Sequence, residues 1–189
     1  MDLERAIYAR RSVREFTAQP VDEAMIRRLI DAAIQAPSAV NEQPWSFVVV
    51  ADKVLLSRIS NHAKAHLLRS PPENVSSPHF QGLLRDPDFD IFYGAPALIV
   101  IASATAGPWA IENCTLAAEN LMLAACAAGL GTCWIGFAQS WLGTVDGKAE
   151  LDLPAKYLPV APIIVGHPKS TTPPVSRREP EIRWIRRPV

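Results

Sequence analysis

The residues best suited to chemistry stand together near the start of the chain, where three arginines surround one serine at positions 10–14. An arginine guanidinium presents a planar fork of donors that matches phosphate, and a serine hydroxyl adds a short neutral donor. The cluster of Arg10, Arg11, Ser12 and Arg14 therefore predicts a clamp for a phosphate or another anion. A solvated basic face is the alternative that the cluster alone leaves open.

A second basic group near the other end of the chain includes Arg177 and Arg178. The chain as a whole is neutral, because 19 Lys and Arg balance 19 Asp and Glu. Nucleic-acid-binding domains are usually net basic, so this balance argues against a nucleic-acid partner. We expect the two basic ends to converge on one small anionic ligand.

A polar loop at 36–45 is the next candidate binding element. Ser38, Asn41 and Gln43 lie between Pro37 and Pro44, and the prolines restrict the backbone on either side of them. Such a stiff edge can hydrogen-bond a ligand. A plain connection between a helix and a strand accounts equally well for the same composition.

Other patterns fail the spacing tests for metal binding or catalysis. His62 and His66 are four residues apart but lack the glutamate of an HExxH motif, and the aspartates at 86–90 lack the glycine and glutamate of an EF-hand. The glycines at 129–131 end a helix instead of following a strand, which excludes a Rossmann fingerprint, and 143–148 is one residue too short for a P-loop. We expect no metal. The missing acid, base or nucleophile set favours a cofactor that supplies its own chemistry.

Hydrophobic periodicity predicts the elements that must hold these residues. The predicted helices cover 3–9, 22–35, 53–68 and 110–128, and the predicted strands cover 46–50, 96–102, 132–135 and 160–165. A proline-rich segment at 69–93 shows no period. We expect it to form a variable loop with one short helix, either a lid over a binding site or surface decoration.

Length and composition predict one domain over residues 1–189. The chain is 49% hydrophobic, which is enough for a sizeable core. Its charged start differs from a signal peptide, and the apolar run at 95–102 is too short to cross a membrane. Cys114, Cys126 and Cys133 form no CxxC pair, so reduced thiols in a cytoplasmic protein are expected.

Four motifs follow one another along the chain: Arg10–Phe16, the Ala-Pro-Ser-x-x-Asn-x-Gln-Pro-Trp run at 36–45, Gly129–Gly136 and Val165–Pro168. Taken together and in this order, they resemble the nitroreductase family of FMN-dependent NAD(P)H oxidoreductases. The resemblance spans residues 3 to 186. It implies an α+β fold with a central, mainly antiparallel sheet flanked by helices. It also implies an intertwined homodimer with two FMN sites at the interface.

The resemblance further implies which residues hold FMN. Arg10 and Ser12 would bind the phosphate and ribityl side, with Arg11 beside them. Arg14 would lie near N1 and O2 of the flavin, where a cation stabilises the charge of the reduced ring. Trp134, Ile135 and Gly136 would lie along the isoalloxazine, and the Gly136 amide would donate to N5.

The remaining contacts implied by the resemblance come from elsewhere in the dimer. One loop would reach the flavin from the partner subunit, with the contacting residues Pro37, Ser38, Ala39, Asn41 and Gln43. Arg177 or Arg178, in a tail exchanged between subunits over 173–189, would complete the phosphate site. Asn61 and Lys64 are candidates for the polar edge of the ring.

The implied activity is a ping-pong cycle. NADH or NADPH reduces FMN and leaves, and a flat acceptor such as a nitroaromatic or a quinone is then reduced in the same pocket. Reductive dehalogenation or flavin breakdown on the same scaffold stays open, as does a flavin-binding protein without turnover. The short 69–93 segment and Phe137, which stands where a second glycine is common, leave the substrate preference open.

Overall fold

The computed structural model describes residues 1–71 and 77–186. Parts of two predicted segments, residues 72–76 of 69–93 and residues 187–189 of 173–189, lie outside the described residues. The helices are α1 (Leu3–Ala9), α2 (Glu23–Ala33), α3 (Lys53–Arg69), α4 (Pro78–Arg85), α5 (Ala110–Ala127), α6 (Gly136–Leu142) and α7 (Val145–Glu150). The strands are β1 (Trp45–Val50), β2 (Ala97–Ser103), β3 (Gly131–Trp134) and β4 (Leu158–Gly166).

The four strands form one antiparallel sheet in the order β1-β2-β4-β3. Phe47 pairs with Ile101, Ile99 pairs with Ile163, and Cys133 pairs with Ile164. Every residue of the central strand β2 is buried, as expected of a strand covered on both faces. The predicted α+β class with a central antiparallel sheet is therefore confirmed.

Alternating residues of β2 pack into two hydrophobic cores on opposite faces of the sheet. Leu98 and Val100 join a cluster with residues of α3 and α6, whereas Ile99 and Ile101 join a cluster with residues of α2 and α5. This alternation is the two-residue period of a strand. Helices on both faces fix the sheet, and the sheet edge at β3 becomes a rigid platform for the segment that carries the arginine cluster.

Side-chain caps explain why several helices begin where they do. Asp2, Asp22, Asp52, Ser77 and Thr144 each accept a hydrogen bond from a backbone N–H in the first turn of the helix that follows. Such caps satisfy amides that have no partner within the helix. The predicted helix starts at 3, 22 and 53 agree with these caps within one residue, and the short helix expected within 69–93 is α4.

The periodicity gave no prediction for α6 and α7. Both are short and contain glycine, which lowers helix propensity. Gly147 is required there by close packing, because a Cβ at that position would lie 2.2 Å from the Trp141 carbonyl oxygen. Gly147 of the 143–148 run thus serves helix packing. Residues 181–186, in which polar and apolar side chains roughly alternate as in a strand, are exposed coil in the described chain.

Candidate active site

The segment that carries the arginine cluster runs in extended form beside β3. Ser12 forms a parallel bridge with Thr132, and the Val13 amide donates to the Thr132 carbonyl at 2.9 Å. Phe16 forms an antiparallel bridge with Pro168. Three motifs that are distant in sequence, at 10–16, 129–136 and 165–168, are therefore brought together at one edge of the sheet.

Gly131 makes this close approach possible. A Cβ at Gly131 would lie 2.8 Å from the Val13 side chain, a distance that real Cβ contacts essentially never show. Glycine allows the backbone to approach more closely than any other residue does. The glycine of β3 thus sets the position of the segment at 10–16.

A cavity of about 520 Å³ lies beside this junction. Its walls include the following residues: Arg14, Leu67, Tyr93, Cys133, Trp134, Ile135, Gly136, Phe137, Gln139 and Ser140. Arg14, Trp134, Ile135 and Gly136 were all predicted site residues, and the structure brings them to one wall. A Cβ at Gly136 would meet nothing within 4 Å, so the backbone there faces open space.

Two further cavities continue this concave face across the arginine cluster. One of about 600 Å³ is lined by Arg10 and Arg11 together with Thr171, and one of about 230 Å³ is lined by Ser12, Arg14 and Thr171. Arg14 is shared with the 520 Å³ cavity, and Thr171 is shared by the other two. The three cavities therefore adjoin and can accommodate one elongated ligand with an anionic end.

The three arginines of the cluster have different partners. Arg10 forms an ion pair with Glu119, with Nε 3.5 Å from the carboxylate. Arg11 turns back to α1, where Nη1 donates to the Tyr8 and Arg10 carbonyls at 2.8 and 2.7 Å. Its Nε is buried with no hydrogen-bond partner in the described part of the chain. In this arrangement Arg11 caps the end of α1.

Arg14 is held by an aromatic ring, since its Cζ lies over the Tyr93 ring at 5.8 Å from the centroid. No carboxylate in residues 1–71 or 77–186 forms an ion pair with Arg14. Burial raises the pKa of the Tyr93 phenol, and Arg14 opposes part of that rise. Burial likewise raises the pKa of the Cys133 thiol, with Arg14 again opposing. Tyr93 and Cys133, which line the same cavity as Arg14, therefore stay uncharged and do not neutralise the guanidinium.

The polar loop lies apart from these cavities. Within the loop, the Gln43 amide donates to Ser38 Oγ at 3.0 Å and Gln43 Nε2 donates to Asn41 Oδ1 at 2.7 Å. The Ala39 amide donates to Asn113 Oδ1 of α5 at 2.9 Å, and Pro37 is exposed at the start of the loop. None of these loop residues lines the cavities at Arg10–Arg14.

The loop backbone is strained in a way that keeps its side chains outward. Val40, Asn41 and Gln43 have φ values of 48°, 57° and 48°, in the left-handed region that non-glycine residues rarely adopt. Val40 is 87% exposed, and Asn41 and Gln43 are exposed as well. Strain of this kind persists where the surroundings fix it and is concentrated at functional sites.

The C-terminal arginines do not join the site within one chain. Arg177 and Arg178 are in exposed coil, and neither lines a cavity with the arginine cluster. Residues 170–174 of the same segment do line those cavities, with Ser170 and Thr172 among them. The start of the tail thus contributes to the concave face, and its basic residues extend away.

Two candidates for the ring edge are placed elsewhere by the structure. Lys64 is buried, and its Nζ donates to the Phe89 carbonyl at 2.6 Å and to the Asp86 carbonyl at 3.2 Å. Asn61 is exposed on α3 and lines a different, shallow cavity with Arg58. Neither lines the 520 Å³ cavity, because their positions on α3 face the 86–89 turn and solvent.

Sequence reasoning did not identify Tyr93 as a site residue. It lies at the end of the aperiodic 69–93 segment, where no spacing pattern assigns a side chain to a face. The adjacent Gly94, with a φ of 66°, was the only local signal of a tight turn there. No group of three or more potential metal ligands is found in the described residues. No helix in those ranges is long and apolar enough to cross a membrane.

A sequence model of the nitroreductase family matches residues 7–167, which contain most of the chain and all of the junction described above except Pro168. The chain belongs to the nitroreductase family. The match begins within α1 and ends at His167, so this nitroreductase-family chain carries its arginine cluster, β3 and the 520 Å³ cavity inside the family region.

Individual curated proteins are also similar to this chain in sequence, over part of its length. Among curated sequences, a protein named NADH dehydrogenase from Thermus thermophilus is 38% identical over 73 residues, covering 38% of this chain and 36% of that protein. An iodotyrosine deiodinase from Haliscomenobacter hydrossis is 32% identical over 74 residues, covering 39% of this chain and 33% of that protein. The alignments with the first curated relatives cover about a third of their length, from 32% to 38%.

A solved structure matches nearly the whole chain. A nitroreductase with bound FMN from Desulfitobacterium hafniense is 25% identical, and the superposition covers 98% of this chain and 100% of that chain with a TM-score of 0.82. The nitroreductase fold is therefore shared over nearly the full length of the family member described here.

Proposed function

We propose that this nitroreductase-family protein is an FMN-dependent oxidoreductase. It uses NADH or NADPH to reduce nitroaromatics, quinones or similar flat electrophiles by a ping-pong mechanism. The observation that carries the proposal is the uncompensated Arg14 guanidinium at the wall of the 520 Å³ cavity. A related structure from Desulfitobacterium hafniense contains FMN, and a relative from Thermus thermophilus is named NADH dehydrogenase, which supports both cofactor and donor.

The donors on the concave face fit the parts of FMN. The 520 Å³ cavity is wide and partly apolar, as a flat ring requires, and the adjoining cavities offer Arg10, Arg11 and Ser12 to an anion. The orphaned Nε of Arg11 shows that the cluster has donor capacity that the described residues do not use. Binding pockets for ligands of this size commonly measure about 300–1,000 Å³.

When bound, FMN would supply the two-electron chemistry between donor and acceptor. The chain's own residues would bind FMN and stabilise the charge of its reduced ring. Arg10 and Ser12 would hold the phosphate and ribityl side. Arg14, which no carboxylate in the described residues neutralises, would stabilise negative charge at the ring. Gly136 offers an open backbone amide, and Trp134 and Ile135 line the same wall.

We further propose that the functional unit is a cytoplasmic homodimer of single-domain subunits, in which each site uses both chains. The exposed loop at 37–43 would approach the partner's cavity, and the tail from residue 173 would pack on the partner. Support comes from exposed apolar side chains in the tail, since Trp184 is 74% exposed and Ile185 is 93% exposed. Large apolar side chains in exposed coil indicate a surface that another chain covers.

The variable segment would shape the pocket from one side. Phe80 of α4 packs edge-on against Phe137, with ring centroids 5.8 Å apart, and Phe137 lines the 520 Å³ cavity. Tyr93 ends the same segment and lines the same cavity. In this proposal the segment acts as a lid that selects the acceptor.

Purification and an anaerobic redox screen test the proposed function. The protein is expected to bind FMN, NADH or NADPH should bleach the flavin absorbance, and nitroaromatics or quinones should restore it. Iodinated tyrosine belongs in the screen because one relative is named iodotyrosine deiodinase. A protein that takes up no FMN would refute the cofactor assignment, and bound FMN that neither nucleotide reduces would refute the reductase assignment.

A further inference from the structure

We propose that Tyr93 is a positioning residue for the flavin site, whose aromatic face holds the Arg14 guanidinium at the wall of the 520 Å³ cavity. The inference rests on the proposed function for its ligand, FMN. The contact on which it is built, between the Arg14 guanidinium and the Tyr93 ring, is present in the structure.

The Tyr93 ring is fixed from two directions. Arg14 Cζ lies 5.8 Å from the ring centroid, within the range of a cation–π interaction. The Phe89 ring meets the same ring edge-on, with centroids 5.8 Å apart and an interplanar angle of 79°. Tyr93 and Arg14 both line the cavity, so a displacement of the tyrosine ring would move the guanidinium relative to a bound ring.

A turn built on Asp90 determines where Tyr93 points. Asp90 Oδ1 accepts from the Phe92 amide at 3.0 Å, and Oδ2 accepts from the Gly94 amide at 2.9 Å. The Tyr93 amide donates to the Asp90 carbonyl at 3.0 Å. Tyr93 has a φ of 55°, a conformation that is costly for an aromatic residue. The turn tolerates this cost, which is typical of positions where the side chain has a function.

Helix α3 anchors the turn to the core. The buried ammonium of Lys64 donates to the Phe89 and Asp86 carbonyls at 2.6 and 3.2 Å. Ser60 Oγ accepts from the Ile91 amide at 3.2 Å. A buried charge is costly unless hydrogen bonds compensate it, so this lysine strongly favours the observed path of the turn. The position of Arg14 is therefore linked through Tyr93 to a rigid helix.

The type of contact matters for the chemistry. Arg10 is held by the Glu119 carboxylate, which neutralises part of its charge. Arg14 is held by a ring face, and burial raises the pKa of the Tyr93 phenol, so this partner stays uncharged. An aromatic partner thus orders the guanidinium and preserves its full charge for the negative ring of reduced FMN.

Affinity measurements on ring variants test this role. FMN is titrated into apoprotein, and its dissociation constant is followed by flavin fluorescence. Tyr93→Phe keeps the ring face and should stay within about twofold of the unsubstituted protein. Tyr93→Leu removes the ring and should weaken binding roughly 3- to 30-fold, the range that corresponds to a cation–π contact. In an Arg14→Ala background, Tyr93→Leu should cause no further loss.

A structural role would give a different pattern. Tyr157 also packs partly buried against the same core but lines no part of the cavity, so Tyr157→Leu is the matched control and should leave FMN affinity unchanged. The two-electron reduction potential of bound FMN should fall in Tyr93→Leu, because the reduced ring loses an ordered cation. Tyr93→Met provides a second variant without a ring if Tyr93→Leu fails to fold.

Three outcomes would overturn the inference. They are equal affinities and potentials for Tyr93→Leu and the unsubstituted protein, equal losses for Tyr93→Phe and Tyr93→Leu, and an additive loss in the Arg14→Ala background. Failure of the proposed function has a separate signature, since the unsubstituted protein would then bind no FMN at all.

Discussion

Three arginines within five residues take three different roles because their partners differ. Arg10 is paired with a carboxylate, Arg11 donates a hydrogen bond to a carbonyl at the end of α1, and Arg14 lies on an aromatic face. A guanidinium always carries its charge, so the partner decides how much of that charge is available to a ligand. On this ground Arg14 is the arginine best placed to interact with a flavin ring.

Gly136 gives a residue-level prediction that separates binding from folding. We expect Gly136→Ala to keep the melting temperature within about 2 °C, because the added Cβ meets nothing within 4 Å in the chain. FMN affinity should fall at least about tenfold, because the methyl group would occupy space that the proposed cofactor needs. Thermal unfolding of the apoprotein and FMN titration measure the two quantities.

The outcome that contradicts this prediction is an unchanged FMN affinity in Gly136→Ala. Gly82→Ala is the matched control, because a Cβ at Gly82 also meets nothing within 4 Å and Gly82 does not line the cavity. It should leave FMN binding unchanged.

The sequence predicted Arg14 and Gly136 as site residues because both lie in motifs with fixed spacing, and the structure places both at one cavity wall. Tyr93 could not be identified in that way. Its placement depends on the Asp90 turn and on Lys64 reaching across from α3, and such long-range hydrogen bonds leave no periodic pattern in the chain. Lys64 was assigned to the ring edge for the same reason, since burial of a lysine is not visible in its neighbours along the sequence.

At the level of elements, the critical junction is the contact between segment 10–16 and β3. Its register is set by the Val13 amide on the Thr132 carbonyl and by the absence of a side chain at Gly131. The segment is also paired with the chain that follows β4, through the bridge between Phe16 and Pro168. The position of the arginine cluster therefore depends on β3 and on the chain that follows β4.

Gly131→Ala should disrupt this junction. The added Cβ would lie 2.8 Å from the Val13 side chain, and overpacking of this kind costs about 1–3 kcal/mol of the free energy of unfolding. Because Arg14 follows Val13, FMN affinity should fall as well. Urea unfolding and FMN titration report the two effects.

Gly131→Ala, Val13→Ala should recover part of both losses, since the second substitution removes the methyl groups that clash. A double variant no more stable than Gly131→Ala would contradict the proposed clash. Gly82→Ala, in the middle of α4, is the control for a glycine with free space and should not destabilise the protein.

Element boundaries were predictable where local signals are strong. Asp22 and Asp52 cap α2 and α3 within one residue of the predicted starts, and continuous apolar runs predict the buried strands. Helices α6 and α7 were missed because each is only one to two turns long and takes its stability from packing. The extended path of 10–16 was also beyond sequence reasoning, because its hydrogen-bond partner is about 120 residues away, a separation that no local pattern spans.

At the scale of the whole molecule, two segments that were predicted to contact the ligand extend away from the cavities of their own chain. Most of the loop at 37–43 and residues 173–186 of the tail are exposed, and neither places its predicted contacts in the cavities at Arg10–Arg14. A site that uses both subunits reconciles these positions with the family motifs that the loop carries. The proposal can be tested by asking which subunit supplies each half of the site.

Subunit complementation gives that test. Arg14→Ala disables the cavity side of a site, and Asn41→Gly removes the loop side chain while glycine retains access to the φ of 57° found there. Each variant alone should bind FMN weakly. In a heterodimer of the two, purified through different tags, one site combines both defects and the other combines the intact cavity with the intact loop. Such heterodimers should bind about half the FMN of the unsubstituted dimer, measured as flavin per dimer. Binding no better than in the parent variants would show that Arg14 and Asn41 act within one subunit.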